Sequence, residues 1–592
     1  MGWVYWGKPH HLAGEKMRAS ASDRVSECQR QGELEYYALR DIGAFESLQE
    51  TFNTRSAERD DATTLAGRVA AGPVKQARAP TPRFAEVIRR LAAGGIRVQM
   101  ENGKLTFGFS RPEGKTLKLA CAVAHPWLGE RELDEIGAFE EMPEYRALAE
   151  VNAKTGRLFR NGAPESLRRA AREQLERCVK EFFNALLAPT DMRLGGRVLF
   201  SGRAVLSPGA DLGLDQVGIA DEIAWTLFGP LVARELGNAE AVGTRNARAA
   251  QTLDEIMARS WVLVNRAPTI MPTNILASHP VRRPERVIRL HPMACILMNA
   301  DFDGDQAAVF LPITEAAQRE AGERLTIAGH LKRDPELIKW LTPAFEAMWG
   351  LASLSLTSEG RKEIESLAGT AVAVPAGFVT REAMAAALRA VLDKEGAEKT
   401  LERIERLRWR GLEVARESGA SINPFIGAGL NLPSAPATED AEAWGAHAEK
   451  VAERIASRSD FADDDMGPQL LAVKSGARGN LRQLTWLAGV IGLVKDTSGA
   501  LVPIRHALRD GLTSKESFTY VVGAREGLAR VSTSLGWEGY GLQRPEAPKG
   551  FSVLVRAMRA RHPGVIFASA AATGESDPLN DVDSRLFVGL PV

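Results

Sequence analysis

The chain has 592 residues, 45% hydrophobic and 25% charged, with 75 Lys and Arg balanced by 75 Asp and Glu. This composition excludes a disordered chain, a collagen-like repeat and a small disulfide scaffold, and at about 150 residues per domain it predicts roughly four domains. No apolar run approaches the ~18 residues of a membrane span and residues 1–16 lack a signal-peptide core, so a cytoplasmic protein without a membrane partner is expected. Cys28, Cys121, Cys178 and Cys295 lie far apart with no C-x-x-C pair, so no zinc is expected and four buried thiols are predicted.

In chain order, residues 1–144 read as mixed and irregular, with a helical stretch at Arg83–Ala93 and a hairpin around Glu101–Gly103, where alternating residues flank Asn102-Gly103. A helix pair follows, Glu144–Arg160 and Glu165–Leu187, broken at Asn161-Gly162 with Pro164 at a first turn. Its surfaces are charged, so it is expected to project from the body without forming a core. Gly195–Ile313 is richer in short β runs (Val198–Phe200, Ala204–Leu206, Trp261–Val264, Arg286–Leu290, Cys295–Met298, Ala307–Leu311) and reads as a compact barrel or sandwich. Residues 314–470 are helical, with periodic stretches at Glu382–Lys394 and Glu398–Glu417 around a Gly/Asn/Pro-rich loop at Ser421–Pro436. A long helix is predicted over Ser514–Leu535, opened by the capping box Thr513-x-x-Glu516, and only a short interrupted tail after Pro545.

The balanced net charge hides local asymmetry. From Val151 to Arg203 eleven Lys and Arg face five acids, an excess of +6, and Arg282, Arg283, Arg286 and Arg289 enclose only Glu285. A solvated helix face and a nucleic-acid contact are both open readings of such runs.

The sharpest chemical signal is Asn299-Ala-Asp301-Phe-Asp303-Gly-Asp305-Gln306. In an extended loop, residues at i, i+2 and i+4 point to one side, so three carboxylates converge and repel unless a cation lies between them. Oxygen-only ligands favour Mg²⁺ or Ca²⁺. An EF-hand is excluded, because counting from Asp301 puts Gln306 and Pro312 where Gly and Glu are required. A surface turn rich in Asp remains open. So does a phosphohydrolase with Asp-x-Asp-Gly after an apolar strand, for which Cys295–Met298 could serve, although Asp305 departs from the Thr or Val usual there.

These residues resemble the catalytic signature of the largest subunit, beta prime, of bacterial DNA-directed RNA polymerase. VLVNRAPTI (Val262–Ile270) and LHPMAC (Leu290–Cys295) are similar to that family's substrate-contacting segment and its lead-in, and GRVLFSGRAVLSPG (Gly196–Gly209) to its Ser-Gly-Arg strand pair. SGARGN (Ser475–Asn480) with Leu487–Gly489, then GAREGLA (Gly523–Ala529) with Glu538-Gly-Tyr540, resemble the approach to the bridge helix and the bridge helix itself. The helix pair resembles the clamp coiled coil on which sigma factors dock.

The resemblance implies a mixed α/β, multidomain chain. Its parts would be an N-terminal clamp remnant (1–144), a clamp-like helical hairpin (145–188), a double-psi β-barrel core (189–345), a helical pore or funnel-like region (346–470), a segment including the bridge helix (471–545) and a tail (546–592). It further implies Mg²⁺ held by Asp301, Asp303 and Asp305, ribose contacts from Asn299 and Arg266, phosphate contacts from Arg197 and Arg203, and bridge-helix roles for Arg525, Gly527 and Tyr540. The implied activity is nucleotidyl transfer from nucleoside triphosphates to an RNA 3′ end on a DNA template. Implied partners are a beta-like subunit bearing a second barrel, alpha-like subunits and a sigma-type factor on 144–187. A non-catalytic, polymerase-like regulatory subunit is the alternative.

Departures from the family pattern are expected to matter. The family's zinc ribbon would precede Met1, its rudder and switch region is reduced to a few residues between Leu187 and Gly196, and nothing after Pro545 resembles its trigger loop. The bridge-helix segment carries Val522, Arg530, Ser534 and Leu535 at altered positions, and the docking Arg of the coiled coil is replaced near Ala153.

Overall fold

The computed structural model describes residues 11–521 and 550–592, apart from 78–79, 113, 422, 424, 439, 463–464 and 497–498. The described chain divides into two compact units, Met1–Ile327 with Gln543–Val592, and Ala328–Leu542.

The first unit is organised around a barrel. Its strands are β1 (Arg18–Ser20), β2 (Ser201–Pro208), β3 (Gln216–Ala220), β4 (Val262–Asn265), β5 (Ile275–Arg283), β6 (Ile288–Leu290) and β7 (Gln306–Phe310). The ring runs β2-β6-β3-β5-β4-β7 and closes through β7 on β2, with β1 added outside β2. Pairing is parallel for β2 with β6 and β3 with β5, and antiparallel elsewhere, so Arg203 lies opposite Ala308 and Leu263 opposite both Phe310 and Ala277. Val262, Leu263, Val264, Ile275, Val309 and Phe310 are all buried, and of these Leu263, Ile275 and Phe310 join a core with Leu39, Phe84 and Leu105. This closed six-stranded barrel is consistent with the barrel core that the resemblance implies.

Three expectations are corrected in and around it. Val198–Phe200 is not a barrel strand, because Phe200 takes φ 56° and redirects the chain just before β2. Cys295–Met298 is not a strand but the end of helix Pro292–Met298, since Pro292 opens the helix behind the His291 cap and Asn299 closes it in the left-handed region. With that helix in place of an apolar strand, the phosphohydrolase reading loses its support. Of the four thiols, Cys28 and Cys295 are buried, whereas Cys121 and Cys178 are half-buried.

The region before the barrel is more regular than its composition predicts. Asn102 and Gly103, at φ 51° and 76°, turn a hairpin of Ile96–Glu101 and Lys104–Phe109, as Asn-Gly demands. A second ribbon pairs Thr116–His125 with Leu128–Gly137. It changes the expectation for the helical hairpin, whose arms are α1 (Pro143–Arg160) and α2 (Glu165–Leu186). Their ends remote from the turn pack Tyr145, Leu148, Leu175, Val179, Phe182 and Phe183 against Leu119, Val123 and Ile136 of the ribbon, and so form a core. The apolar positions recur at helical spacing beneath a charged exterior, which average surface polarity conceals. The turn end stays exposed.

The expected short tail is also corrected. Val553–Arg559, Pro563–Thr573 and Val582–Val588 are helices, and Ser576–Asp577 adds a strand to the Lys104–Phe109 edge. Leu554, Phe567 and Phe587 share one core with Leu39, Phe84, Leu105 and Phe310.

A buried ion pair secures the barrel seam. Glu50 and Arg55 are both 0% exposed, and the Glu50 carboxylate accepts from Arg55 Nε, the Ile313 and Thr314 amides and the Thr314 hydroxyl. Arg55 Nη1 donates to the Leu199 carbonyl at 3.1 Å, so the pair spans the chain leaving β7 and the chain entering β2. Glu50→Gln strands the Arg55 charge and is expected to cost about 3–5 kcal/mol in urea unfolding, whereas the Glu50→Met/Arg55→Met double variant should recover much of the loss.

The second unit is mainly helical. Arg381–Glu395 and Ala397–Ser418 match the predicted periodic stretches closely. Phe345–Leu354 crosses Ala397–Ser418 so closely that a Cβ at Gly350 would overlap the Gly411 carbonyl. Ile426, Trp444, Val451, Leu470 and Leu484 form this unit's own core.

Candidate metal centre

The Asp loop is held at both ends. On entry, Asn299 sits at φ 49°, ψ 43° and the Ala300 amide returns to the Cys295 carbonyl at 2.9 Å, ending the Pro292–Met298 helix. On exit, Gly304 adopts φ 129°, and the Asp305 carbonyl accepts from the Leu206 amide at 2.7 Å, registering the loop against β2. Between these points Asp301 and Asp303 are exposed and Asp305 is half-buried, with one oxygen of each carboxylate lying within 4.8 Å of the others. The three carboxylates thus converge on a loop that bends at Phe302–Gly304, where extended backbone was expected. The Asp301 carboxylate, by hydrogen bonding and by charge, raises the Asp303 pKa, and Asp305 adds to the effect. Such crowding favours either a shared proton or a cation.

One cation is already supplied by the protein. Arg266 Nε and Nη2 reach Asp305 Oδ2 at 3.0 and 2.9 Å, so Arg266 forms an ion pair with a member of the triad. Arg266 follows directly on β4, and its amide donates to the Asn274 carbonyl at 3.1 Å. Thr273 Oγ1 and Asn274 Nδ2 donate to the carbonyls of Leu297 and Met298, tying the Arg266 loop to the helix that feeds the Asp loop.

Beneath this lies a group that the sequence does not flag. Glu35 is buried, and its Oε1 accepts from Thr269 Oγ1 at 2.7 Å and Asn265 Nδ2 at 3.3 Å, while its Oε2 accepts from the Gly32 amide at 2.6 Å. It clamps the segment on both sides of Arg266. No local spacing links Glu35 to residues 265–269, since some 230 residues separate them.

The other expected site residues are placed variously. Asn299 is exposed at the loop entry and Arg203 is exposed on β2. Arg197 is half-buried, with Nη1 donating to the Cys28 carbonyl at 2.8 Å, which occupies part of its guanidinium structurally. The Arg282 cluster is neutralised: Arg282 pairs with Asp254 and Asp221, Arg283 and Arg289 with Asp211, and Arg286 with Glu222. The Thr513–Glu516 capping box forms and residues 514–521 are helical. Val522, Gly523, Arg525, Gly527, Arg530, Ser534, Leu535 and Tyr540 lie outside the described residues. Among the described residues no helix is long and apolar enough to cross a membrane.

Comparison with known proteins places this site in a family context. The family model for RNA polymerase Rpb1, domain 2, matches residues 234–327, which include the Arg266 loop and the Asp triad. The DNA-directed RNA polymerase subunit beta′ of Symbiobacterium thermophilum is 26% identical over 524 residues, covering 67% of this chain and 44% of the relative. That of Caldanaerobacter subterraneus subsp. tengcongensis is 28% identical over 448 residues, covering 59% and 38%, and that of Desulforudis audaxviator 25% over 503 residues, covering 67% and 43%. The chain spans less than half the length of these relatives. Barrel, Asp loop and sequence similarity are together consistent with a divergent relative of bacterial DNA-directed RNA polymerase beta′ subunits, to which the chain is similar at 25–28% identity.

Proposed function

We propose that this chain is the metal-bearing subunit of a DNA-templated RNA polymerase, adding nucleotides from nucleoside triphosphates to an RNA 3′ end. The observation that carries the reading is the convergence of three carboxylates on a rigid barrel, with a positioned Arg266 against one of them. The donor set fits Mg²⁺: it is all oxygen, anionic and open to solvent on two of its three members. Asp301, Asp303 and Asp305 would hold the ion, which when bound would align the RNA 3′-hydroxyl and offset charge developing on the phosphoryl group.

The remaining residues have separable tasks. Arg266 keeps further N–H donors beyond the two directed at Asp305, and Asn299 offers both a donor and an acceptor, so the two suit the ribose hydroxyls of an incoming nucleotide. Glu35 fixes the backbone on either side of Arg266 and so sets where its fork points. Arg203, open on β2, and the free part of Arg197 suit phosphates of the nucleic acid. A beta-like second barrel would bring the cations that hold the triphosphate, with alpha-like subunits completing the assembly.

The test is RNA extension on a primed DNA template by the complex that co-purifies with this chain. Mg²⁺-dependent addition of templated ribonucleotides is expected. A complex that binds template and primer yet adds none with Mg²⁺ or Mn²⁺ would overturn the assignment in favour of a non-catalytic subunit.

A further inference from the structure

The turn end of the α1–α2 hairpin gathers cations that lack acidic neighbours. Between residues 154 and 172 six cations, Lys154, Arg157, Arg160, Arg168, Arg169 and Arg172, face the single acid Glu165. Arg168 meets Glu165 at 2.8 Å. The other five form no ion pair among the described residues, and all five are exposed. Nearer the packed end the signs mix again, with Glu173, Glu176 and Glu181 beside Arg177 and Lys180. The contrast with Arg282, Arg283, Arg286 and Arg289, each matched by an acid, shows that a run of arginines on this chain need not stay unpaired.

We infer that the turn end of the hairpin binds the phosphate backbone of double-stranded DNA. Three features favour this partner over an acidic protein. Leu167 is the one large hydrophobic side chain exposed among residues 154–172, and Leu158 and the aromatic Phe159 are half-buried, whereas protein interfaces are built around apolar and aromatic anchors and DNA interfaces are polar and strongly cationic. Five of the six cations are arginines, whose planar forks match phosphate oxygens. The spacing is of the same order: Lys154, Arg157 and Arg160 recur every third residue and span about 9 Å of helix at 1.5 Å per residue, against about 7 Å along the duplex axis from the first to the third phosphate of one strand at ~3.4 Å per step. Because the contact is electrostatic, it should be independent of base sequence and strongly weakened by salt. It is also independent of the Asp triad.

The experiment titrates the full chain into a fluorescein-labelled mixed-sequence duplex, with anisotropy read at several KCl concentrations. The variant Lys154→Gln/Arg157→Gln/Arg160→Gln is expected to bind at least ~10-fold more weakly at 0.1 M salt, and to lower the slope of log affinity against log salt by about 2–3, given ~0.9 per phosphate contact. The control Arg177→Gln/Lys180→Gln, which removes two cations from the mixed-sign stretch, should change affinity less than about 2-fold. A photo-crosslinking residue at Leu167, with all the cations retained, should label the duplex. Equal losses from the two variants, an unchanged slope, or a Leu167 crosslinker that labels a co-purifying acidic protein and not DNA would each overturn the inference.

Discussion

Asp303→Ala is expected to lower RNA extension by the assembled complex at least about 1000-fold, some 4 kcal/mol of transition-state stabilisation, while leaving the chain folded and assembled. Asp303 is exposed and its contacts are to its own loop, so its removal should scarcely move the thermal midpoint. Its carboxyl is raised by Asp301, so in the absence of metal it takes up a proton more readily than an ordinary aspartate. Asp303→Asn keeps the size and removes the charge, and it should fail like alanine if charge is what matters. Paired assays of extension and assembly check this, and near-normal extension by Asp303→Ala would remove the triad from the chemistry.

Deleting residues 550–592 is expected to abolish cooperative folding of the first unit. Leu554, Phe567 and Phe587 are fully buried, and single large-to-small changes at such positions cost about 3–5 kcal/mol for an aromatic and 2–5 for a leucine. Three together approach or exceed the roughly 5–15 kcal/mol of a typical domain. Polar ties are lost as well: Tyr36 Oη donates to Asp583 at 2.6 Å, and Thr81 Oγ1 to the Phe587 carbonyl at 2.6 Å. The measurement is circular dichroism during thermal unfolding of the truncated chain. A sharp transition at the full-length midpoint would show these helices to be dispensable.

The legible parts of this molecule are those written in short spacing. Asn102-Gly103 can turn a hairpin with both residues at positive φ, and it does. Thr513 and Glu516 stand at the reciprocal capping distance, and Arg381–Glu395 and Ala397–Ser418 repeat their apolar residues over enough turns to be unmistakable. The three aspartates were legible as closely spaced carboxylates, although the loop that gathers them bends at Phe302–Gly304 and is registered by the Leu206 amide on the Asp305 carbonyl.

What stayed hidden depends on residues far apart in the chain. β5 holds Pro280 and several half-buried residues, so it lacks alternation and becomes a strand because β3 and β4 flank it. Cys295–Met298 is apolar enough for a strand, but helix and strand cannot be separated by hydrophobicity over four residues, and the His291 cap and the left-handed Asn299 tipped the balance. The tail's Gly and Ser disguised helices whose apolar faces acquire meaning where Phe587 meets Phe84 and Phe567 meets Phe107, partners far earlier in the chain. Most tellingly, Arg266 was visible in its motif, but its ion pair with Asp305 and its support from Glu35 were not. Burial makes such long-range polar contacts strong, and because a carboxylate can meet its partner from anywhere in the chain, folding alone brings Glu35 beneath Arg266.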